Sequence, residues 1–337
     1  MQAIAEMERA MNDKNTLPRK VVVGTAMYAM YGNRNPYPGL EKRLDELGEL
    51  IDAMAEQTAS AYPNKGLDLV VLPEFAVNGG LPGRAEEVAF ELDGPVLEKM
   101  GHKARQHQTY VVVPMYLVDN RTLGLYSNAC VLLDRTGTLV GIYRKVHPVA
   151  SKNATELEGG VQPGRDFPVF DCDFGKIGFQ ICFDIYFEDG WQALAQNGAE
   201  IVAWPTQTPQ TARPSAFALK HKYYVVSSTW RNNASFFDPT GLIAAQIQEP
   251  RRVLVHQIDL SYVLLPWQSP LRNGALLAET HGDRVGFCYS EAEDGGIFWS
   301  NDPNMSIYQM VRDLGLEEVH DLVARNGVLI EAIRKRS

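Results

Sequence analysis

The sequence predicts an α/β fold built on mixed sheets, and three observations carry that expectation. Apolar runs at 21–28 and 67–72 flank a stretch, 40–61, in which Leu44, Leu47, Leu50, Ile51 and Met54 recur at helical spacing, so the chain opens as strand, helix, strand. Two further runs, 126–133 and 138–143, are joined by the turn sequence Asp134-Arg135-Thr136-Gly137, a hairpin whose strands pair antiparallel. From 176 to 229 strand and helix alternate again. Adjacent hairpin strands argue against a simple doubly wound parallel sheet, where each strand needs a helical crossover.

Taken in order, 1–20 is an N-terminal extension carrying Glu6, Glu8 and Asp13 without an apolar h-region, so it does not read as a signal peptide. After the opening unit come a helix at 95–107 and a strand at 110–118, then the hairpin. Residues 146–164, rich in Gly, Pro, Ser and Asn, read as a loop. Strands at 168–171 and 176–181 follow, then a helix at 188–197, a strand at 201–204, a helix at 212–222 and a strand at 224–229. A second hairpin, 233–247, turns at Asp238-Pro239-Thr240-Gly241, and 253–258 closes the regular part. From 261 the periodic pattern lapses into turn-rich sequence, with a final helical spacing over 314–335 through Leu316, Val319, Leu322, Val323, Leu329 and Ile333. The expected organisation is 1–20, a main domain at 21–260, and a C-terminal extension at 261–337 that belongs to the same globule or to a subunit interface.

Composition narrows the function classes. The 337 residues are 45% hydrophobic and 22% charged, an ordinary globular balance, which excludes disorder and collagen-like repeats. A net charge of −9, with no compensating run of Lys and Arg, argues against nucleic acid as a partner. The longest uncharged stretch near the start, 21–33, is too short and mixed to span a bilayer, so no membrane association and a cytosolic location are expected. The four cysteines, Cys130, Cys172, Cys182 and Cys288, have no CxxC spacing and are expected to be thiols. The sequence has no His-Glu-x-x-His, GxGxxG, GxxxxGK[ST] or G-x-S-x-G, so metal, nucleotide and serine-hydrolase readings lack support.

Chemistry-bearing residues stand at three predicted strand ends: Glu74 after Val70-Val71-Leu72-Pro73, Lys145 after Gly141-Ile142-Tyr143-Arg144, and Cys182 after Gly178-Phe179-Gln180-Ile181. A lone cysteine is ordinarily a packing residue, and a lone acid or lysine at a strand edge is ordinarily solvated. Together they offer a base, a cation and a nucleophile that could share one pocket.

Pro73-Glu74-Phe75, Tyr143-Arg144-Lys145-Val146-His147 and Ile181-Cys182-Phe183-Asp184 resemble, in order and in their separations of 71 and 37 residues, the three catalytic motifs of the nitrilase superfamily of carbon-nitrogen hydrolases. Tyr126-Ser127-Asn128-Ala129 and the Asp-x-x-Gly turn before the lysine strand are similar to it as well. Over about 21–258 the resemblance implies an α-β-β-α four-layer sandwich with no metal or organic cofactor. It implies Glu74 as general base, Cys182 as nucleophile and Lys145 as oxyanion stabiliser, with the Phe183 backbone N–H as second oxyanion donor. A further glutamate between lysine and cysteine is implied, for which Glu158 is the best match and Glu156 the alternative. Phe75, Tyr126, Tyr186 and Trp204 are candidates for the walls of a cleft, with aromatic packing an equal alternative. His147 is expected to be a structural loop residue.

Phe183-Asp184 after the cysteine is closer to the Tyr-Asp of the family's amidases than to the Trp-Glu of nitrilases or the Asn of N-carbamoyl-amino-acid hydrolases. The expected activity is therefore hydrolysis of a linear, non-peptide amide through a cysteine thioester. N-carbamoyl or nitrile hydrolysis by the same residues, and a non-catalytic binding or assembly protein of the same fold, are the alternatives. The expected partners are a small-molecule amide and further copies of the chain, in a homodimer or larger assembly that the C-terminal extension helps to build.

Overall fold

The computed structural model describes residues 17–29 and 36–335, so the first sixteen residues of the N-terminal extension lie outside the described residues. The chain divides into two units, one spanning Val21–Ile258 and one formed by residues 17–20 with 259–335.

The larger unit opens with β1 (Lys20–Ala26), α1 (Leu40–Ala61) and β2 (Leu69–Val71), then the one-turn α2 (Ala85–Val88), α3 (Pro95–His107) and β3 (Tyr110–Asn120). The predicted hairpin is β4 (Leu125–Leu133) with β5 (Leu139–Arg144). Beyond the loop come β6 (Val169–Cys172), β7 (Gly175–Phe179), α4 (Glu188–Gln196), β8 (Ile201–Pro205), α5 (Ala212–His221), β9 (Tyr224–Ser228), β10 (Ser235–Phe237), β11 (Ile243–Gln246) and β12 (Val253–Asp259). These strands form two six-stranded sheets, in the orders β12-β1-β2-β3-β4-β5 and β11-β10-β9-β8-β7-β6. Each combines a parallel trio, β1-β2-β3 or β7-β8-β9, with antiparallel neighbours, so both are mixed as expected.

Burial shows why four layers are required. β3 and β8 are apolar and buried along almost their whole length, which a strand tolerates only when both faces of its sheet are covered. One face of the first sheet is covered by Leu47, Ile51 and Met54 of α1 with Val96 and Met100 of α3. Trp191 and Leu194 of α4 with Ala218 of α5 cover the second sheet. The other faces meet each other: a Cβ on Gly141 of β5 would overlap the Phe170 ring of β6. Where β1 and β9 end, Thr25 donates its hydroxyl to Ser227 O at 2.7 Å and Ser228 donates to Ala26 O at 2.9 Å.

The smaller unit corrects the expectation of turn-rich sequence after 261. It contains an antiparallel sheet, β13 (Tyr262–Pro266), β15 (Gly295–Ser300) and β14 (Val285–Ser290) in that order, with α6 (Ala275–His281) and α7 (Ile307–Asp313). Its own core joins Val263, Leu265, Leu277, Phe298, Ile307 and Met310. The final helix, α8 (Val319–Arg334), starts five residues later than the spacing predicts, after Gly315 at φ 65° ends the preceding turn.

Candidate active site

Segments from both sheets deliver the site. Glu74 follows β2, Asn128 lies within β4, Lys145 follows β5, Glu158 is carried by the loop beyond it, and Cys182 opens a 3-10 turn, Cys182–Tyr186, after β7. Three residues here hold left-handed backbone: Phe75 at φ 55°, Glu158 at 32° and Cys182 at 43°. For a residue with a Cβ such backbone costs about 1–3 kcal/mol and persists where its surroundings over-determine it. At Cys182 they do: the Trp204 indole donates to its carbonyl at 3.2 Å, and Ile181 N–H donates to the Asp184 carboxylate at 2.8 Å.

Lys145 is buried and donates to Glu74 Oε1 at 3.0 Å and to Glu158 Oε1. Asn128 Nδ2 donates to both glutamates, at 3.0 Å to Glu74 Oε1 and at 3.0 Å to Glu158 Oε2. Glu158 Oε1 also accepts Val149 N–H at 2.9 Å, which fixes the loop to the site. The backbone is tied in parallel, with Lys145 N–H donating to Asn128 O at 2.8 Å and the Trp230 indole to Glu74 O at 2.7 Å. One carboxylate oxygen stands apart: Glu74 Oε2 is buried and has no hydrogen-bond partner. The Thr206 hydroxyl and the Gln207 N–H act on the Cys182 thiol in favour of its ionised form, but burial outweighs them.

The electrostatics follow from two carboxylates sharing one ammonium inside the protein. Burial pushes the Glu74 carboxyl above its ordinary value, Glu158 adds to the rise, and Lys145 offsets it only in part. For Lys145 burial acts downward, but the facing carboxylates outweigh it and hold the ammonium well above the ordinary lysine value. The Cys182 thiol is pushed up to about 12, by burial first and then by the Glu74 charge. At neutral pH the resting site therefore holds a protonated thiol, a fixed ammonium and a carboxylate oxygen with room for a proton.

The four residues Glu74, Lys145, Glu158 and Cys182 are brought together. Glu156 is not among them; it pairs with Arg84 at 2.8 Å on the surface. Phe183 follows the cysteine with its ring 5.1 Å from that of Tyr186, whose hydroxyl accepts from Gln210 at 3.0 Å. Phe75 packs on Tyr116 at 4.5 Å. Trp204 is wholly buried behind the cysteine, and Tyr126 packs into a separate cluster with Ala85, Val118 and Val161. His147 stacks on Phe187 at 3.9 Å and meets Asp184 Oδ1 through Nδ1 at 3.0 Å. Sequence reasoning gave no role to Asn128, Thr206, Gln207 or Trp230; only Asn128 carried a signal, as part of the motif Tyr126-Ser127-Asn128-Ala129. None of the four cysteines is in a disulfide. Among the described residues no group of His, Cys, Asp and Glu is placed to hold a metal ion, and no helix is long and apolar enough to cross a membrane.

The carbon-nitrogen hydrolase family model matches residues 29–264. Among curated proteins, the chain is 26% identical over 231 residues to the omega-amidase NIT2-A of Xenopus laevis, covering 62% of this chain and 83% of that one. It is 27% identical over 215 residues to the probable nitrilase C965.09 of Schizosaccharomyces pombe, covering 58% and 77%. Among solved structures, Saccharomyces cerevisiae Nit3, of the nitrilase superfamily, superposes with a TM-score of 0.59 at 20% identity over 72% of this chain and 91% of that one.

Proposed function

The chain belongs to the carbon-nitrogen hydrolase family of the nitrilase superfamily, and within it we propose that this protein hydrolyses a linear, non-peptide amide through a thioester on Cys182. The observation that carries the reading is the unpartnered Oε2 of Glu74 beside a protonated Cys182, while Oε1 is occupied by Lys145 and Asn128. A carboxylate with one tethered and one open oxygen is oriented to receive a proton.

In the reading, Glu74 Oε2 takes the Cys182 proton as Sγ attacks the carbonyl carbon, forming the C–S bond. The carbonyl oxygen becomes an oxyanion held by the Lys145 ammonium and the Phe183 N–H. The C–N bond then breaks, and the proton on Glu74 passes to the departing amine or ammonia. Water, losing a proton to Glu74, attacks the thioester; the C–S bond breaks, the acid leaves and the thiolate recovers its proton. Glu158 and Asn128 keep the Lys145 and Glu74 side chains in place throughout. Phe183-Asp184 after the cysteine favours an amide over a nitrile, in keeping with an omega-amidase among the relatives. The substrate is a small molecule, and the reading includes self-association into a homodimer or larger assembly.

The test is release of ammonia, or of the matching acid by mass spectrometry, from a panel of aliphatic amides, aromatic amides, carbamoyl compounds and nitriles. Amides should be turned over, and Cys182→Ala should abolish turnover with the far-UV spectrum unchanged. Turnover that survives Cys182→Ala would sink the mechanism, and turnover confined to nitriles or carbamoyl compounds would move the substrate class.

A further inference from the structure

The geometry points to Asp184 as a positioning residue that holds the nucleophile and the lysine in register, an inference that rests on reading Cys182 and Lys145 as above. The Asp184 side chain is wholly buried, and its two oxygens receive four donors. Oδ2 accepts the Ile181 N–H at 2.8 Å and the Tyr143 hydroxyl at 2.8 Å. Oδ1 accepts the His147 N–H at 2.9 Å and meets His147 Nδ1 at 3.0 Å, which makes Nδ1 the protonated nitrogen.

The positions of those donors are the argument. Tyr143 and His147 lie two residues before and two after Lys145, and Ile181 immediately precedes Cys182. One carboxylate therefore grips both flanks of the lysine and the approach to the nucleophile, across two sheets. It also stabilises the 3-10 turn that keeps Cys182 at φ 43°. Only a carboxylate can accept on every side. An asparagine would turn its NH2 either toward the Ile181 N–H or toward the His147 N–H, leaving a buried backbone donor facing another donor. The same chemistry gives Cys-x-Asp a role in this chain beyond marking a branch of the family.

The experiment uses Asp184→Asn, Tyr143→Phe and the double variant in the full chain. Displacement of reacting groups by about 1 Å costs about 10²-fold, so Asp184→Asn should lower kcat by about that factor, with KM within about threefold of the parent on the same scale of effect. Tyr143→Phe removes one donor and should lower kcat less, while the double variant should lose no more than Asp184→Asn alone, because both act through one carboxylate. Iodoacetamide labelling of Cys182, followed by peptide mass spectrometry at fixed pH, needs no substrate. It should slow in Asp184→Asn as the sulfur leaves the field of the ammonium. A kcat near the parent's, losses that multiply in the double variant, or labelling as fast as the parent's would each overturn the inference. If no amide is turned over by the parent, the labelling arm still decides it, so the two readings fail separately.

Discussion

At the scale of single residues, the site separates proton storage from charge. Lys145 is clamped between two carboxylates and stays charged, whereas Glu74 and Cys182 are both pushed upward by burial. The pH dependence follows in sign. Glu74 must be ionised to accept the thiol proton, and its raised pKa moves the loss of kcat/KM on acidification to a higher pH than an exposed carboxylate would give. Labelling of Cys182 in the free protein should keep rising with pH far beyond the midpoint of an ordinary thiol, toward about 12. A labelling midpoint below the ordinary thiol value would contradict this arrangement. That Glu74, Lys145 and Cys182 could share one pocket was legible because each follows an apolar run, and the structure brings them together; the roles proposed for them came from the motif resemblance. Between Glu158, the better match, and Glu156, the alternative, the backbone decides: left-handed at Glu158, it sends that carboxylate inward while Glu156 pairs with Arg84.

At the scale of elements, the approach of the two sheets leaves a sharp steric requirement. β5 comes so close to β6 that Gly141 has room for no Cβ beside Phe170. Gly141→Ala should cost about 1–3 kcal/mol through overpacking, lowering the melting temperature, and because β5 leads directly into Lys145, activity should fall with it. A melting curve identical to the parent's would count against the packing described. Strands and helices of the larger unit, apart from the one-turn α2, were readable from periodicity to within a few residues, α1 and α3 at both ends. The sheet of the smaller unit was not, for a specific reason. Gly286 stands against the Trp299 indole and Gly296 against the Cys288 carbonyl, so glycines that the pairing demands occupy places where bulky β-formers would have announced the strands.

At the scale of the whole molecule, the proposed self-association would draw on surface left uncovered among the described residues. No residue of α8 is buried, and Val323, Val328, Leu329, Ile330 and Ile333 are more than 45% exposed on a helix of 16 residues. A helix of that length is marginal in water without packing of one face. Self-association should therefore appear as a dimeric or larger mass in light scattering, and removal of residues 319–337 should shift it; a monomeric mass for the full chain would exclude the assembly. The helical spacing of this segment was visible in sequence, but what it packs against is a tertiary matter that periodicity does not encode.

The high pKa of the Cys182 thiol bears on durability as well as on rate. Peroxide and other oxidants attack thiolates, and cysteines kept largely as thiolate are the ones first lost to sulfenic and then irreversible sulfinic acids. A thiol that stays protonated and buried, as Cys182 does, presents little thiolate to a passing oxidant. For the nucleophile proposed above, burial would thereby serve the lifetime of the catalyst as well as its chemistry.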